Sequence, residues 1–575
     1  ENNDYEKSFI EIHKNEYGFV LQNRFLEIKS YRVRVVAHSL VDKHPPLNQI
    51  EKGTKPKQID EVDCFFEDKW IKTPVFNLSE LSIDTKLEGP CVILLPTSSI
   101  LVEPECIAHV SEDGDIIIDV PSGIAGNINE KVDLIQLSVF AHRFMSIAEQ
   151  MGYTLRRTAI SVNIKERLDF SCALFGPDGS LVANAPHLPV HLGAMQEAVK
   201  WQINHIKGEW KDGDVVMSNH PAAGGSHLPD ITVITPVFDN DKIVFFVASR
   251  GHHADVGGIS PGSMPPHSTS LAQEGVCFKS TLIVRDGVFD DETVEKVLTT
   301  PPSNNVVGTR CLRDNISDLK AQVAANKRGI ALVSDLIEEF SLEVVQAYMD
   351  HVQTAASDAV RAMLRKIADK HVSEHPEKQN SNIISVESND FMDCGAEIKL
   401  LLIINREQGS AVFDFTGTSK QVITNINSPR AVTYSAVIYS LRCLVSEDIP
   451  LNSGCLQPIE IIIPRGSILW PSDDAAVVGG NVLTSQRVTD VVLSAFGAVA
   501  NSLGCMNNFT FGTENSGYYE TIGGGAGAGP DWHGASGVQT HMTNTRITDA
   551  EVLERRFAVL LREFSIRNHS GGNGL

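Results

Sequence analysis

No Cys-x-x-Cys pair occurs in the 575 residues, although ten cysteines (Cys64, Cys91, Cys106, Cys172, Cys277, Cys311, Cys394, Cys443, Cys455 and Cys505) are spread along the chain. That spacing excludes zinc-finger and thioredoxin-type chemistry. Apolar settings such as Phe170-Ser171-Cys172-Ala173-Leu174 read as reduced, buried thiols rather than a disulfide framework. There is no run of about 18 apolar residues, so no membrane span is indicated. No Gly-x-x-x-x-Gly-Lys-Ser/Thr run is present, which removes a P-loop. A loose Gly-x-Gly-x-x-Ala lies within Gly523–Gly529, but Pro530-Asp531-Trp532-His533 follows where a phosphate-binding helix would begin. Positive charge is scarce as well: 49 Lys and Arg stand against 72 Asp and Glu, a net of −23 without a basic tract. Nucleic acid is therefore not an expected partner. With no basic-then-apolar leader, the Asn-x-Ser/Thr triplets at Asn77, Asn315, Asn508 and Asn568 read as chance, and a cytosolic setting is expected.

What is present is a globular balance of 42% hydrophobic and 21% charged residues, long enough for two or more domains. Residues 1 to about 130 read as a small β-rich domain, with strands at Tyr31–Val36, Cys91–Leu95 and Asp115–Val120 and a turn at Asp113-Gly114. Pro45-Pro46 and Lys52–Lys57 mark an exposed loop in it, and Pro121-Ser122-Gly123 marks its end. In the second domain, 131–575, Leu137, Phe140, Phe144, Ile147 and Met151 recur at helical steps and lead into Thr158. Ile231–Thr235 and Ile243–Ala248 are strand-like. A helical block near 315–370 carries Leu319, Val323, Ile330, Val333, Leu336, Ile337 and Phe340 on apolar faces. Strands return at Ile398–Ile403 and Ala411–Phe415, before a short helix near Val488–Ala500 and a glycine-rich end. The expected class is α+β, multidomain and rich in strands. The chain opens on Glu1 and stops in the loop-like Ser570–Leu575, so it reads as part of a longer one.

The densest polar cluster is Gly224-Gly225-Ser226-His227-Leu228-Pro229-Asp230, followed across the strand pair by Arg250-Gly251-His252-His253-Ala254-Asp255-Val256-Gly257-Gly258. A histidine and a carboxylate three residues apart, with a histidine ending the adjacent strand, can converge on a divalent ion and leave room for water. The same residues also suit a hydrogen-bonded turn with satisfied buried histidines, and spacing alone does not separate the two. The flanking glycines favour close approach of the backbone to a small ligand. Asn163-Ile164-Lys165-Glu166-Arg167-Leu168-Asp169 suits an exposed turn with surface ion pairs, or a site in which Arg167 and Asp169 orient a carboxylate or a water. His187 and His191 have the spacing of a helical metal pair, but Pro189 between them argues against that helix.

These motifs, in order, resemble the hydantoinase B/5-oxoprolinase family from about residue 133 onward: Asn163–Arg167 with Asp169–Cys172, His187–His191, Ser226–Asp230, Arg250–Asp255 and Pro261–Pro265. Asp414–Gly417, Gly479–Asn481, Met506–Asn508 and Met542–Arg546 continue the order, while Ser317 replaces the glycine expected before Asp318. The matching motifs contain the catalytic candidates Asp169, Arg167, His191, His253 and Asp255. The resemblance implies His227, Asp230 and His252 as metal ligands, by the pattern of the family's ketone carboxylases. Zinc, manganese and iron suit such a set about equally.

Residues 1 to about 130 look like the end of the partner hydantoinase A half, whose earlier part is an actin-like ATPase in the family. Such a fusion is the arrangement of 5-oxoprolinases. The resemblance then implies ATP and magnesium bound by the A-type half, a small cyclic amide as substrate, and a homodimer. It implies opening of 5-oxo-L-proline to L-glutamate, in the glutathione cycle, with the water step in this chain. An ATP-dependent hydantoinase, a ketone carboxylase subunit and an inactive scaffold half are the alternatives.

Overall fold

The computed structural model describes all residues except 1–3, 21–24, 31, 37–53, 67, 112–113, 121–127, 207–208, 379–380, 447–450, 530 and 572–575. Pro45-Pro46, Lys52-Gly53 and Pro121-Ser122-Gly123 lie outside the described residues. Two compact units are present, 25–129 and a larger one made of 1–24 with 130–575. The architecture is α+β.

In the smaller unit, Gln58–Phe66, Lys69–Asn77, Cys91–Leu94 and Ser99–Val102 form one sheet, and Lys86–Glu88, Ile107–Val110 and Ile116–Asp119 another. Leu87, Cys91, Ile93, Val102 and Ala108 fill its core. The strand expected at Tyr31–Val36 does not form, since 32–36 are irregular and exposed. Nor is the start of the chain strand-like. Tyr5–Tyr17 is a helix of the larger unit, opened by Asp4, which accepts from the Lys7 N–H, and closed by Gly18 at φ 79°.

The larger unit is built on a seven-stranded sheet of β1 (Phe170–Phe175), β2 (Leu181–Asn184), β3 (Val215–Ser218), β4 (Asp230–Asp239), β5 (Lys242–His252), β6 (Thr281–Arg285) and β7 (Val288–Phe289). The order is β7-β6-β3-β4-β5-β1-β2, antiparallel at every pair. Its strands are continuous apolar runs because both faces are covered. Val215, Met217, Ile231 and Val233 pack with Leu319 and Val323, while Val216, Ile234, Phe246 and Ala248 pack with Met195 and Val199.

Helix α1 (Leu134–Thr158) buries Phe140, Phe144, Ile147, Met151 and Leu155 at helical spacing. The helical block is two helices, α2 (Leu312–Phe340) and α3 (Leu342–Glu374), broken at Ser341, whose φ of 76° no helix accommodates. From α2, Gln322 Nε2 donates to the Ile231 and Ser249 carbonyls and Asn326 Nδ2 to that of Val233, fixing the helix on the β4–β5 pair. A second sheet of Ile383–Phe391, Glu397–Asn405, Ser410–Asp414 and Ile459–Ile462 buries Ile398, Leu400, Leu402 and Phe413 against the helices Arg430–Leu444 and Ser485–Ala495.

All ten cysteines are free, but only Cys91, Cys106, Cys172 and Cys455 are buried, and Cys277, Cys394 and Cys443 are exposed. The expectation of mostly buried thiols is corrected to that extent. No helix among the described residues is long and apolar enough to cross a membrane.

Candidate metal centre

The strand register assembles the site. Asp230, the first residue of β4, lies opposite His252, the last of β5. A tight turn before β4, with the Asp230 N–H bonded to the His227 carbonyl, folds His227 back over the same point. His227 Nε2 and His252 Nδ1 each stand 3.1 Å from Asp230 Oδ1 and 3.2 Å from each other. All three residues are buried, and they are a group able to hold a metal ion.

Proton bookkeeping makes this contact awkward without a cation. His227 Nε2 faces the acceptor Asp230 Oδ1, the Asn481 Nδ2 donor at 3.3 Å and a second imidazole nitrogen, and one ring nitrogen cannot both donate and accept. Three lone pairs aimed at one ion remove the conflict. Ligand atoms placed tetrahedrally at about 2.0 Å from zinc stand about 3.3 Å apart, close to the spacing here. The far nitrogens, His227 Nδ1 and His252 Nε2, are buried without a hydrogen-bond partner among the described residues.

Asp230 divides its oxygens between two tasks. Oδ1 faces the ring nitrogens, while Oδ2 accepts from Ser226 Oγ at 2.5 Å and from His191 Nε2 at 3.2 Å. His191 Nδ1 is in turn 3.0 Å from Ser171 Oγ, itself held by the Leu188 N–H. Burial opposes the charge on Asp230, yet His227 and His191 outweigh it and hold the carboxyl well below its usual range. Burial lowers His191 and His252, so their imidazoles are neutral, the form that binds metal. The nearby guanidinium of Arg250 is fully buried too, held at about 10 by desolvation. It donates to Thr232 Oγ1 and the Gly224 carbonyl.

Arg167 and Asp169 also reach this place and are buried, not an exposed turn. Arg167 Nε pairs with Glu520 at 2.7 Å, and its guanidinium lies 4.7 Å above the Tyr519 ring. The other side of this aromatic layer is His252, stacked on Tyr519 at 4.4 Å and 13°. Asp169 lies 3.5 Å from Arg167, and its carbonyl accepts from the His252 N–H. Burial raises its carboxyl above the usual range, against the pull of His252 and Arg167.

His253 and Asp255 do not join the cluster. Successive strand residues face opposite ways, so His253 turns to α2, where Nε2 meets Gln322 Oε1 at 3.0 Å and Nδ1 meets Asn315 at 3.1 Å. Asp255 is spent on Arg310 and on the N–H groups of Gly257 and Gly262. His187 accepts from the Cys172 N–H and is separate from His191, which sits in the short turn Pro189–His191. The glycines serve packing rather than a ligand: a Cβ on Gly224 would stand 2.2 Å from the Ala198 nitrogen, and one on Gly225 2.1 Å from the Asn219 carbonyl oxygen. Ser171, Arg250 and Asn481 are legible in the sequence only as members of motifs, with no role assigned, and Tyr519 and Glu520 not at all. Asn481 lies 254 residues from its contact and sits in a π-helical turn, Gly480–Thr484, before Ser485–Ala495. Glu274 accepts from the Val477 and Val478 N–H groups ahead of that turn, and burial pushes its carboxyl up to about 7.

Residues 133–575 match the model of the Hydantoinase B/oxoprolinase family, and the chain belongs to that family. It is 56% identical to 5-oxoprolinase 1 of Arabidopsis thaliana over 100% of this chain and 46% of that protein. It is 53% identical to 5-oxoprolinase of Dictyostelium discoideum over 100% of this chain and 44% of that one. The chain thus spans less than half the length of these curated relatives. Among solved structures, the ATP-dependent caprolactamase from Pseudomonas jessenii shares the fold, with a TM-score of 0.64, 22% identity, and coverage of 76% of this chain and 75% of that one.

Proposed function

We propose that this chain is the amide-processing part of an ATP-dependent 5-oxoprolinase, which opens 5-oxo-L-proline to L-glutamate in the cytosol as a step of glutathione metabolism. Residues up to about 130 would be the end of a hydantoinase A-type half, the remainder a hydantoinase B-type half, and the working unit a homodimer. Support comes from the names of the relatives, which are more than twice as long as this chain. The observation that carries the reading is the convergence of His227 Nε2, His252 Nδ1 and Asp230 Oδ1 on one buried point.

An unstrained lactam resists water. Phosphorylation of its carbonyl oxygen by the A-type half, with magnesium on the nucleotide, converts that oxygen into a leaving group. Two waters then balance the step: the oxygen of one bonds to the carbonyl carbon as the ring C–N bond breaks and a proton passes to the nitrogen, and the second displaces the phosphorylated oxygen from that carbon, so that inorganic phosphate leaves and the free carboxylate remains. His227, Asp230 and His252 would hold a zinc, manganese or iron ion, which when bound would supply Lewis acidity for the water step. His191 and Ser226 fix the Asp230 carboxylate by its outer oxygen. Tyr519, braced by Arg167, fixes the His252 ring. Asp169, buried beside His252 with a raised carboxyl, accepts the proton from water, and Arg167 holds it in place.

The test is the intact protein incubated with ATP and 5-oxoproline. Glutamate released in step with ADP is the expected result; turnover of N-methylhydantoin or carboxylation of a ketone without glutamate would overturn the substrate.

A further inference from the structure

Asn481 reaches the triad on an arm whose backbone is fixed, leaving only its side-chain amide free to turn. It sits in the π-helical turn Gly480–Thr484, where the Ser485 N–H closes on the Gly480 carbonyl, a geometry frequent at functional sites. The turn is held before and after. Glu274 accepts from the Val477 and Val478 N–H groups at 3.0 and 3.1 Å. The Gly480 N–H donates to the Asn425 carbonyl, and Ser485 Oγ donates to the main-chain carbonyl of Asn481 at 2.6 Å. Gly480 has no room to shift, since a Cβ there would stand 1.9 Å from the Asn427 carbonyl oxygen.

At the end of this arm the amide is buried, with Asn481 only 4% exposed. Its Nδ2 stands 3.3 Å from His227 Nε2. Asp230 Oδ1 and His252 Nδ1 stand 3.1 and 3.2 Å from that same nitrogen, so the amide end shares the spacing of the candidate ligands. The other end, Oδ1, is buried with no hydrogen-bond partner among the described residues. With the His227 lone pair given to a cation, this orientation serves neither end. Nδ2 has no acceptor left at His227, and its positive N–H end faces a positive charge. The two ends of an amide have the same shape, so half a turn about the Cβ–Cγ bond exchanges them without moving the backbone. The carbonyl oxygen then faces the cation, and one end of the amide is left without a partner instead of two.

We infer that Asn481, through Oδ1, is a further metal ligand beside His227, Asp230 and His252. The inference rests on the metal centre of the function proposed above. An amide carbonyl is a hard, neutral donor, of the kind that manganese accepts more readily than zinc does.

Chelator competition on the intact protein, run separately with Mn²⁺ and Zn²⁺, tests the ligand without turnover. Asn481→Leu is expected to weaken Mn²⁺ binding by about 100-fold, the upper end of what even outer partners of a ligand give, and Zn²⁺ binding by less. Asn481→Asp decides which atom acts. A carboxylate supplies the oxygen and no N–H, so affinity equal to the parent protein's or tighter is expected. A role as donor to His227 predicts the reverse, a loss in Asn481→Asp as deep as in Asn481→Leu. Cooperative thermal transitions show that the variants are folded, and the nearly isosteric Asn481→Asp remains readable where Asn481→Leu does not fold. Loss of affinity in Asn481→Asp, or Mn²⁺ affinity unchanged in Asn481→Leu, with the parent protein binding its ion, would overturn the inference alone. A parent protein that binds neither ion would overturn the metal centre with it.

Discussion

Asp230 shows how one carboxylate is fixed in place. Its outer oxygen is taken by Ser226 and His191, so the inner oxygen has no freedom to swing away from the two rings. We therefore propose His191 as a positioning residue for Asp230. Outer partners of this kind change metal affinity by roughly 10–100-fold when removed. His191→Leu should lower affinity for the divalent ion within that range, measured by chelator competition, while the far-ultraviolet spectrum stays the same. Unchanged affinity would make His191 a packing residue only. The same scale explains what spacing could not tell. His252 and His253 are neighbours of one chemistry, and alternation along the extended chain sends the first, the last residue of β5, to the triad and the second, just beyond the strand, to Gln322.

Between elements, the decisive contacts are made by polar side chains under apolar faces. Asp318 on α2 accepts the N–H groups of Ile160 and Ser161, which join α1 to the short helix Val162–Lys165 and so place Arg167 and Asp169. Its second oxygen is buried without a partner among the described residues, and burial pushes the carboxyl from 3.8 up to about 6. A raised acid binds its proton more tightly in the folded state, so its stability is lost as pH rises through about 4 to 6, in total about 3 kcal/mol. Asp318→Asn lacks that titration. Its thermal midpoint should climb relative to the parent protein between pH 4 and pH 7, and parallel curves would contradict the assignment.

Long periodic segments were legible at this scale: α1, the helical block and strands β4 and β5 lie where apolar spacing puts them. Tyr5–Tyr17 was missed although Asp4 and Gly18 mark its ends, because its apolar pattern is weak and none of its residues is buried. Asn481 was legible only as a member of the Gly479–Asn481 motif and Tyr519 not at all, since tertiary folding alone brings them to His227 and His252.

For the whole molecule, the triad sits where helices, a two-sided sheet and a distant π-turn meet, and its members stand no more than 2% exposed. Burial at that level lowers the His252 imidazole below its usual range and makes a lone carboxylate dependent on a compensating cation. The account rests on that cation. Elemental analysis of the intact protein after dialysis against buffer free of metal measures it directly. About one divalent ion per chain is predicted at this centre, lost in both His227→Ala and His252→Ala while the thermal transition remains cooperative. A parent protein with no bound ion, or variants that keep theirs, would contradict the metal centre.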